Sequence, residues 1–338
     1  MKRLGARPII LCKPGSKLGE RAAGAGIEVR THPMRSNRDI SALLYAMKVI
    51  KEDSVDVVNT HSGDDSFICA IAGRLSARKP VIVRTRHLAL PITSKTTYSL
   101  FPHRVVTVSE FVRRYLVDEV GIPGNKVTAV ATGIDLARFD PSTVPDTLRA
   151  ELGVSPSTLI VGTVAILRRK KGHHLLLEAI PEIIKECDGA LFVFAGDGPQ
   201  RENIEERIRD LGIGKSVRLL GLRKDIPTVL KGLDIFVLPT LQEALGTSIL
   251  EASAMRKPVI GTSVGGVPEA IRDGLTGLLV APEDSKGLAN AIIKLLKDAA
   301  LRRRMGDEGR AMVEAGYSTE KMVEKMHKVY TELLAARR

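Results

Sequence analysis

Glu243 and Glu251 bracket a glycine and the start of a helix in Phe236-Val-Leu-Pro-Thr-Leu-Gln-Glu243-Ala-Leu-Gly246-Thr-Ser-Ile-Leu-Glu251-Ala. The apolar run ending at Pro239 reads as a buried parallel strand, and Thr247 to Met255 reads as the helix behind it. Gly246, Thr247, Ser248 and Ile249 then present unpaired backbone N–H groups, and such a helix start attracts phosphate. Glu251 lies one turn inside, too close to bound phosphates to pair with them. Its natural partner is a neutral diol, such as a ribose that donates two hydroxyl hydrogens. Glu243 precedes the helix and reaches a different part of the ligand. This is the chemistry of a pocket for a phosphorylated sugar. A first-turn glutamate also serves as a plain charge–dipole contact, so the neighbouring segments decide between the two readings.

Downstream, Lys257-Pro-Val-Ile-Gly-Thr-Ser-Val-Gly265-Gly266-Val-Pro268-Glu269 and Asp273-Gly-Leu-Thr-Gly277-Leu-Leu-Val read as a strand, a glycine turn, a short helix and another strand. Upstream, Gly162-Thr-Val-Ala-Ile-Leu-Arg168-Arg169-Lys170-Lys171-Gly172-His173 is a strand ending in a basic loop that opens a helix. Cations beside a phosphate pocket can neutralise a diphosphate leaving group, although such runs are also common as solvated turns. Together these stretches resemble the donor-binding half of glycosyltransferase family 4, the retaining nucleotide-sugar transferases.

The resemblance spans almost the whole chain and is strongest from Val161 to Val280. It implies two Rossmann-like doubly wound α/β domains (the GT-B arrangement) with a ligand cleft between them. It also implies roles for individual residues. Lys171-Gly172 matches a family lysine before a glycine; the family arginine some five residues earlier is Ile166 here, and Arg168 is the nearest replacement. Ala195-Gly196-Asp197-Gly198-Pro199 matches a donor-side turn, and Leu220-Gly221-Leu-Arg223 matches the segment that cups the base. Glu243 would orient the sugar, and Glu251 would hold the ribose. The departing phosphate would take the acceptor proton, stabilised by Lys171 and the helix at Thr247. His87 matches a position close to the reacting sugar; His61, with Arg86 beside His87, falls on the acceptor side. Thr107-Val-Ser109-Glu110 and Ala131-Thr132-Gly133-Ile134-Asp135 match as well. Family members carry a strand, a glycine-bearing loop and a helix before the segment matching Met1-Lys-Arg-Leu-Gly-Ala, so the expectation is an unpaired strand position in the first sheet, with activity of the chain as written in doubt.

The elements that must position these groups are legible in the periodicity. Short apolar runs alternate with helical patterns along the chain, which predicts parallel sheets covered by helices. Strands are expected at Pro8–Cys12, Ile27–Arg30, Val55–Asn59, Val81–Arg84, Arg104–Val108 and Val127–Val130, with helices beginning near Ser16, Ser36, Asp64 and Ser109. After a proline-punctuated lapse from Gly133 to Ser157, strands resume at Leu159–Ala165, Ala190–Ala195, Ser216–Leu220, Ile235–Leu238, Val259–Thr262 and Gly277–Val280. Helices are expected from Gly172, Gln200, Ile226, Thr247, Val267 and Ser285, and over most of 300–336. The expected domains are 1–150 for the acceptor, 151–317 for the donor, and a helix over 318–338 crossing back.

Composition narrows the classes. The 338 residues are 44% hydrophobic and 27% charged, as in folded domains, without a low-complexity tract. The three cysteines are scattered, against a disulfide framework or zinc site. No apolar run approaches the ~20 residues of a membrane span. The net charge is +12, of which residues 1–157, with 23 Lys/Arg and 15 Asp/Glu, carry +8. The first half therefore favours an anionic surface, lipid headgroups or a phosphorylated glycan. Absence of tryptophan and few aromatics argue against nucleic acid. The expected protein is a cytoplasmic enzyme, peripheral on the inner membrane face. It would move a hexose-type sugar from a nucleoside diphosphate sugar to a glycan or glycolipid in polysaccharide or lipopolysaccharide synthesis, needing no cofactor and no metal. A nucleotide-sugar epimerase of the same fold and a non-catalytic sugar-nucleotide binder are the alternatives.

Overall fold

The structure is a computed structural model describing residues 4–88, 90–92 and 94–337. The chain divides into two compact units, Met1–Val130 with Val323–Arg338, and Ala131–Met322.

The first unit holds strands β1 (Ile9–Cys12), β2 (Glu28–Thr31), β3 (Val57–Thr60), β4 (Val81–Arg86), β5 (Arg104–Thr107) and β6 (Val127–Ala129). Its helices are α1 (Lys17–Gly24), α2 (Ile40–Glu52), α3 (Gly63–Leu75), α4 (Thr96–Ser99) and α5 (Glu110–Arg114). Side-chain caps set the helix starts. Ser16 accepts from the Gly19 N–H, and Ser109 from that of Val112. The helix expected near Ser36 begins instead at Ile40, because the Asp39 carboxylate takes the Ala42 N–H. The helix expected at Asp64 opens one residue earlier, where Ser62 and Asp65 form a reciprocal capping box.

All ladders of this unit are parallel, and they fall into two sets among the described residues: β1 with β2, and β3-β4-β5-β6. β1 and β3 share no ladder. Leu11 of β1 and Val58 of β3 nevertheless pack on one apolar cluster, formed by Ala46 and Ile50 of α2 with Cys69 and Ala72 of α3. β4 is the buried centre, with Val81, Ile82 and Val83 almost fully enclosed.

The second unit contains β7 (Ile160–Val164), β8 (Leu191–Ala195), β9 (Val217–Gly221), β10 (Ile235–Leu238), β11 (Val259–Thr262) and β12 (Gly277–Val280). Between and after them run α6 (Leu148–Leu152), α7 (His173–Glu186), α8 (Arg201–Asp210), α9 (Ile226–Gly232), α10 (Thr247–Ala254), α11 (Val267–Ala270), α12 (Ser285–Lys297), α13 (Ala299–Gly316) and α14 (Thr319–Ala335), the last extending into the first unit. Among the described residues its sheet is parallel throughout, in the order β12-β11-β10-β7-β8-β9. Strands buried on both faces need continuous apolar runs, which Phe192, Phe194, Ile235 and Val237 supply against Leu176, Ile180, Ile292 and Leu295. The helical tail is broken at Tyr317 and Ser318, where Ile134 forms a short parallel bridge with Ser318. Strand order reverses between β7 and β10, so the loops leaving their C-terminal ends diverge and open a crevice.

Candidate active site

The crevice is built from the β7–α7 and β10–α10 loops. The Lys170 carbonyl ties them together by accepting from the Leu241 N–H (2.7 Å) and the Thr240 hydroxyl (2.9 Å). Gly172 adopts φ +68°, and a Cβ there would lie 1.7 Å from the Pro239 carbonyl oxygen, so only glycine permits this approach. With the loops so fixed, Lys171 forms an ion pair with Glu243, both side chains mostly shielded from solvent. The second Glu243 oxygen accepts from the Ala244 N–H (3.1 Å), and its carbonyl from the Gly266 N–H (3.2 Å). The Gly265-Gly266 turn thus supports Glu243 from behind.

α10 starts beside this pair. Gly246 is its N-cap with φ +92°. The expected row of unpaired donors is shorter than the sequence suggests, because the Ile249 N–H bonds to the Gly246 carbonyl (2.9 Å) and the Ile249 side chain is fully buried. Ile249 is therefore a packing residue, and the open donors are Thr247 and Ser248. Glu251 follows one turn in. Burial pushes its carboxyl up to about 7, opposed by the positive charge of Arg138. Among the described residues no hydrogen bond reaches this carboxyl. A half-neutral carboxyl beside open helix N–H groups is suited to accept hydroxyl hydrogens while the helix end takes an anion.

Other expected site residues are placed differently. Gly196 and Gly198 lie against the β7 loop, where a Cβ would come within 1.9 Å of the Ala165 oxygen and 2.7 Å of the Leu167 oxygen. Their N–H groups are already used, by the Gly221 carbonyl and the Asp197 carboxylate. They permit loop packing rather than offer donors to a ligand. Arg223 is engaged by Glu151 through both terminal nitrogens and by Asp225 (2.7 and 2.9 Å). Its hydrogen bonds to Asp225 and then to Glu151 raise its pKa further, so it clamps the turn after β9 instead of presenting a free fork to a base. Arg168 is exposed and lines a cavity between α7 and α8 that none of Glu243, Thr247, Ser248 or Glu251 lines.

In the first unit, His61 at the end of β3 and His87 after β4 stack, with Nδ1 of one 2.9 Å from Nε2 of the other. Burial lowers both pKa values; the His61 charge lowers His87 further, while Asp65 counteracts the shift of His61. Arg86 donates to the Tyr98 hydroxyl and the Leu90 carbonyl. Sequence reasoning missed Tyr98, whose ring also carries the Arg84 guanidinium 3.5 Å above it, and Arg138 near Glu251; neither sits in a motif. Among the described residues no group of three or more His, Cys, Asp or Glu side chains could hold a metal ion.

Comparison with known proteins agrees with this architecture. The family model described as "Glycosyl transferases group 1" matches residues 145–312, and that described as "Glycosyltransferase Family 4" matches residues 1–138. The UDP-Gal:alpha-D-GlcNAc-diphosphoundecaprenol alpha-1,3-galactosyltransferase of Escherichia coli is 26% identical over 313 residues, covering 88% of this chain and 80% of that protein. The crystal structure of a glycosyltransferase from Rickettsia africae superposes with a TM-score of 0.91 at 25% identity, over 98% of this chain and 92% of that one. An Anabaena protein, HepE, solved in complex with UDP-glucose, shares the fold at a TM-score of 0.83 and 20% identity, over 96% and 91% of the two chains. With two Rossmann-like parallel-sheet units of the GT-B type and both family models matched in succession, the chain belongs to glycosyltransferase family 4 and is a glycosyl-transferring enzyme.

Proposed function

We propose that the enzyme transfers a hexose-type sugar from a nucleoside diphosphate sugar to a hydroxyl of a glycan or glycolipid, with retention of anomeric configuration. The observation that carries this reading is Glu251: a shielded carboxyl that no hydrogen bond reaches among the described residues, one turn inside a helix whose N-terminus is open and flanked by Lys171. The nucleoside ribose would donate its two hydroxyl hydrogens to Glu251, and the diphosphate would meet the Thr247 and Ser248 N–H groups. Glu243 would orient the sugar, its hold on Lys171 shifting as the ammonium turns toward the diphosphate.

Breaking the bond between the anomeric carbon and the diphosphate oxygen leaves the electron pair on that oxygen and an oxocarbenium-like sugar. The acceptor oxygen attacks on the face the diphosphate leaves, and its proton passes to the departing phosphate. Positive groups that face this oxygen lower the barrier because its charge grows in the transition state. A helix N-terminus and Lys171 supply that field, so turnover is expected to persist in chelator. His61 and Arg86 of the first unit are proposed to serve the acceptor. The Escherichia coli relative is named for a GlcNAc-diphosphoundecaprenol acceptor, which favours a lipid-linked glycan and work at the inner membrane face in lipopolysaccharide or capsule assembly.

The test is calorimetric titration of UDP, GDP and ADP into the wild type and Glu251→Ala. One diphosphate should bind tightly and lose its affinity in the variant; binding by none, or equal binding by the variant, overturns the donor assignment. Proton NMR of the first product bond decides retention. Flotation with anionic vesicles at low and high salt checks membrane contact, which salt should weaken.

A further inference from the structure

β1 and β2 pair in parallel with Cys12 opposite Thr31, so the chain leaves both strands side by side at one edge of the first unit. The residues that follow include Lys13 and Lys17 after β1, and Arg35 and Arg38 after β2, all exposed and without an ion pair among the described residues. Met34 anchors the second loop, its side chain buried against Ala42 of α2 and Ile68 in the first half of α3. α3 opens directly after His61 and Ser62, so Arg35 and Arg38 lie at the end of the unit that holds His61. Asp39, the one acid between Arg35 and Lys48, is engaged locally. It accepts from the Arg35 N–H (3.0 Å), the Ala42 N–H (3.1 Å) and the Ser41 hydroxyl.

The outer side of a surface helix is ordinarily polar. On α2 it is not. Ile40 and Leu44, four positions apart and so neighbours on one helix face, are 71% and 61% exposed, and Lys48 continues the row. A lone exposed aliphatic is ordinary, whereas an adjacent pair on a rigid helix, flanked by four unpaired cations, marks an interaction surface. Its chemistry fits an anionic bilayer: the aliphatic tips suit the acyl boundary, and the ammonium and guanidinium groups suit lipid phosphates. A second copy seated on this face would set like charges against each other.

We propose, on the lipid-linked acceptor reading above, that this edge is the membrane-docking surface of the enzyme. Ile40 and Leu44 enter the interface of an anionic bilayer, and Lys13, Lys17, Arg35 and Arg38 meet its headgroups. Docking by this edge brings the His61 end of the unit toward the leaflet from which a lipid-linked acceptor must come.

The test floats the full chain with vesicles of phosphatidylcholine, alone or with phosphatidylglycerol, at low and high salt. The wild type should partition to the anionic vesicles, less so as salt rises. Ile40→Ser/Leu44→Ser and Arg35→Gln/Arg38→Gln should each weaken partitioning about tenfold or more, the second also flattening the salt dependence. Arg303→Gln/Arg304→Gln removes two exposed charges of α13 in the second unit. It should float as the wild type does; an equal loss there would assign binding to net charge and overturn the surface. Unchanged UDP affinity and thermal midpoint show that the variants are folded. Wild-type flotation by both first-unit variants overturns this surface and leaves membrane work in place. No flotation of the wild type overturns both, while UDP binding reports on the donor assignment by itself. A dimer in sedimentation that Ile40→Ser/Leu44→Ser abolishes, without vesicle binding, assigns the face to a second copy and overturns the lipid.

Discussion

Lys171 and Glu243, 72 positions apart, form a shielded ion pair at the point where strand order reverses between β7 and β10. The pair joins the loops after those strands and places an ammonium next to the open end of α10. A shielded pair is not a strong source of stability, but removing one partner strands the other. Lys171→Met should therefore lower kcat about 10²- to 10³-fold while leaving Glu243 unpaired. Steady-state kinetics beside chemical denaturation separates the two effects: a variant with wild-type kcat would remove Lys171 from the reaction.

Glu251 sets stability against binding. Its carboxyl titrates near 7 in the folded chain and at about 4.5 when unfolded. Between these values the unfolded chain releases the proton first, so stability falls as pH rises through that window and stays low above it. Glu251→Gln cannot ionise and should melt higher than the wild type above pH about 7. Its affinity for the nucleoside diphosphate should drop about tenfold or more. Thermal melts at several pH values, with and without UDP, give both numbers.

Gly172→Ala forces a side chain into left-handed backbone and onto the Pro239 carbonyl. Strain of this kind costs on the order of 3 kcal/mol. Denaturant midpoints should show the loss, and Lys171 should be displaced with it, so residual activity would fall below that expected from stability alone.

Arg223→Ala tests whether that arginine recognises a base. Its carboxylate partners Glu151 and Asp225 are nearly half exposed, so the stability loss should be about 1 kcal/mol or less. Because both carboxylates occupy the guanidinium, KM for the donor should change less than about threefold, under ~0.7 kcal/mol. A much larger rise in KM would return Arg223 to the nucleotide pocket.

His61 and His87 lie below the usual histidine value of 6.5. A neutral pair is favoured in the folded chain, so its contribution is present above 6.5 and is lost as pH falls. The melting temperature of the wild type should drop on mild acidification, and His87→Gln should flatten that drop.

Much of the architecture can be read along the chain. Apolar runs such as Ile235–Leu238 and Val259–Thr262 coincide with β10 and β11, since a strand buried on both faces has no other composition open to it. Ser16 and Ser109 announce their helices because a cap needs only the N–H three residues on. The Lys171-Gly172 and Gly246-Thr247 junctions are likewise local: glycine with positive φ opens a helix in each. Long-range partners are not local. That Lys171 meets Glu243, that Arg223 is held by Glu151, and that Arg168 faces α8 follow from the placing of β10 and β8 on either side of β7, which no neighbour-to-neighbour pattern encodes. The same holds for the Ile249 N–H, taken by a carbonyl three residues back in a tight first turn, and for the division of the first unit's strands into two ladder sets. Local sequence selects elements through short-range sterics and hydrogen bonds, whereas charge pairing and burial at the site are set only when distant elements pack.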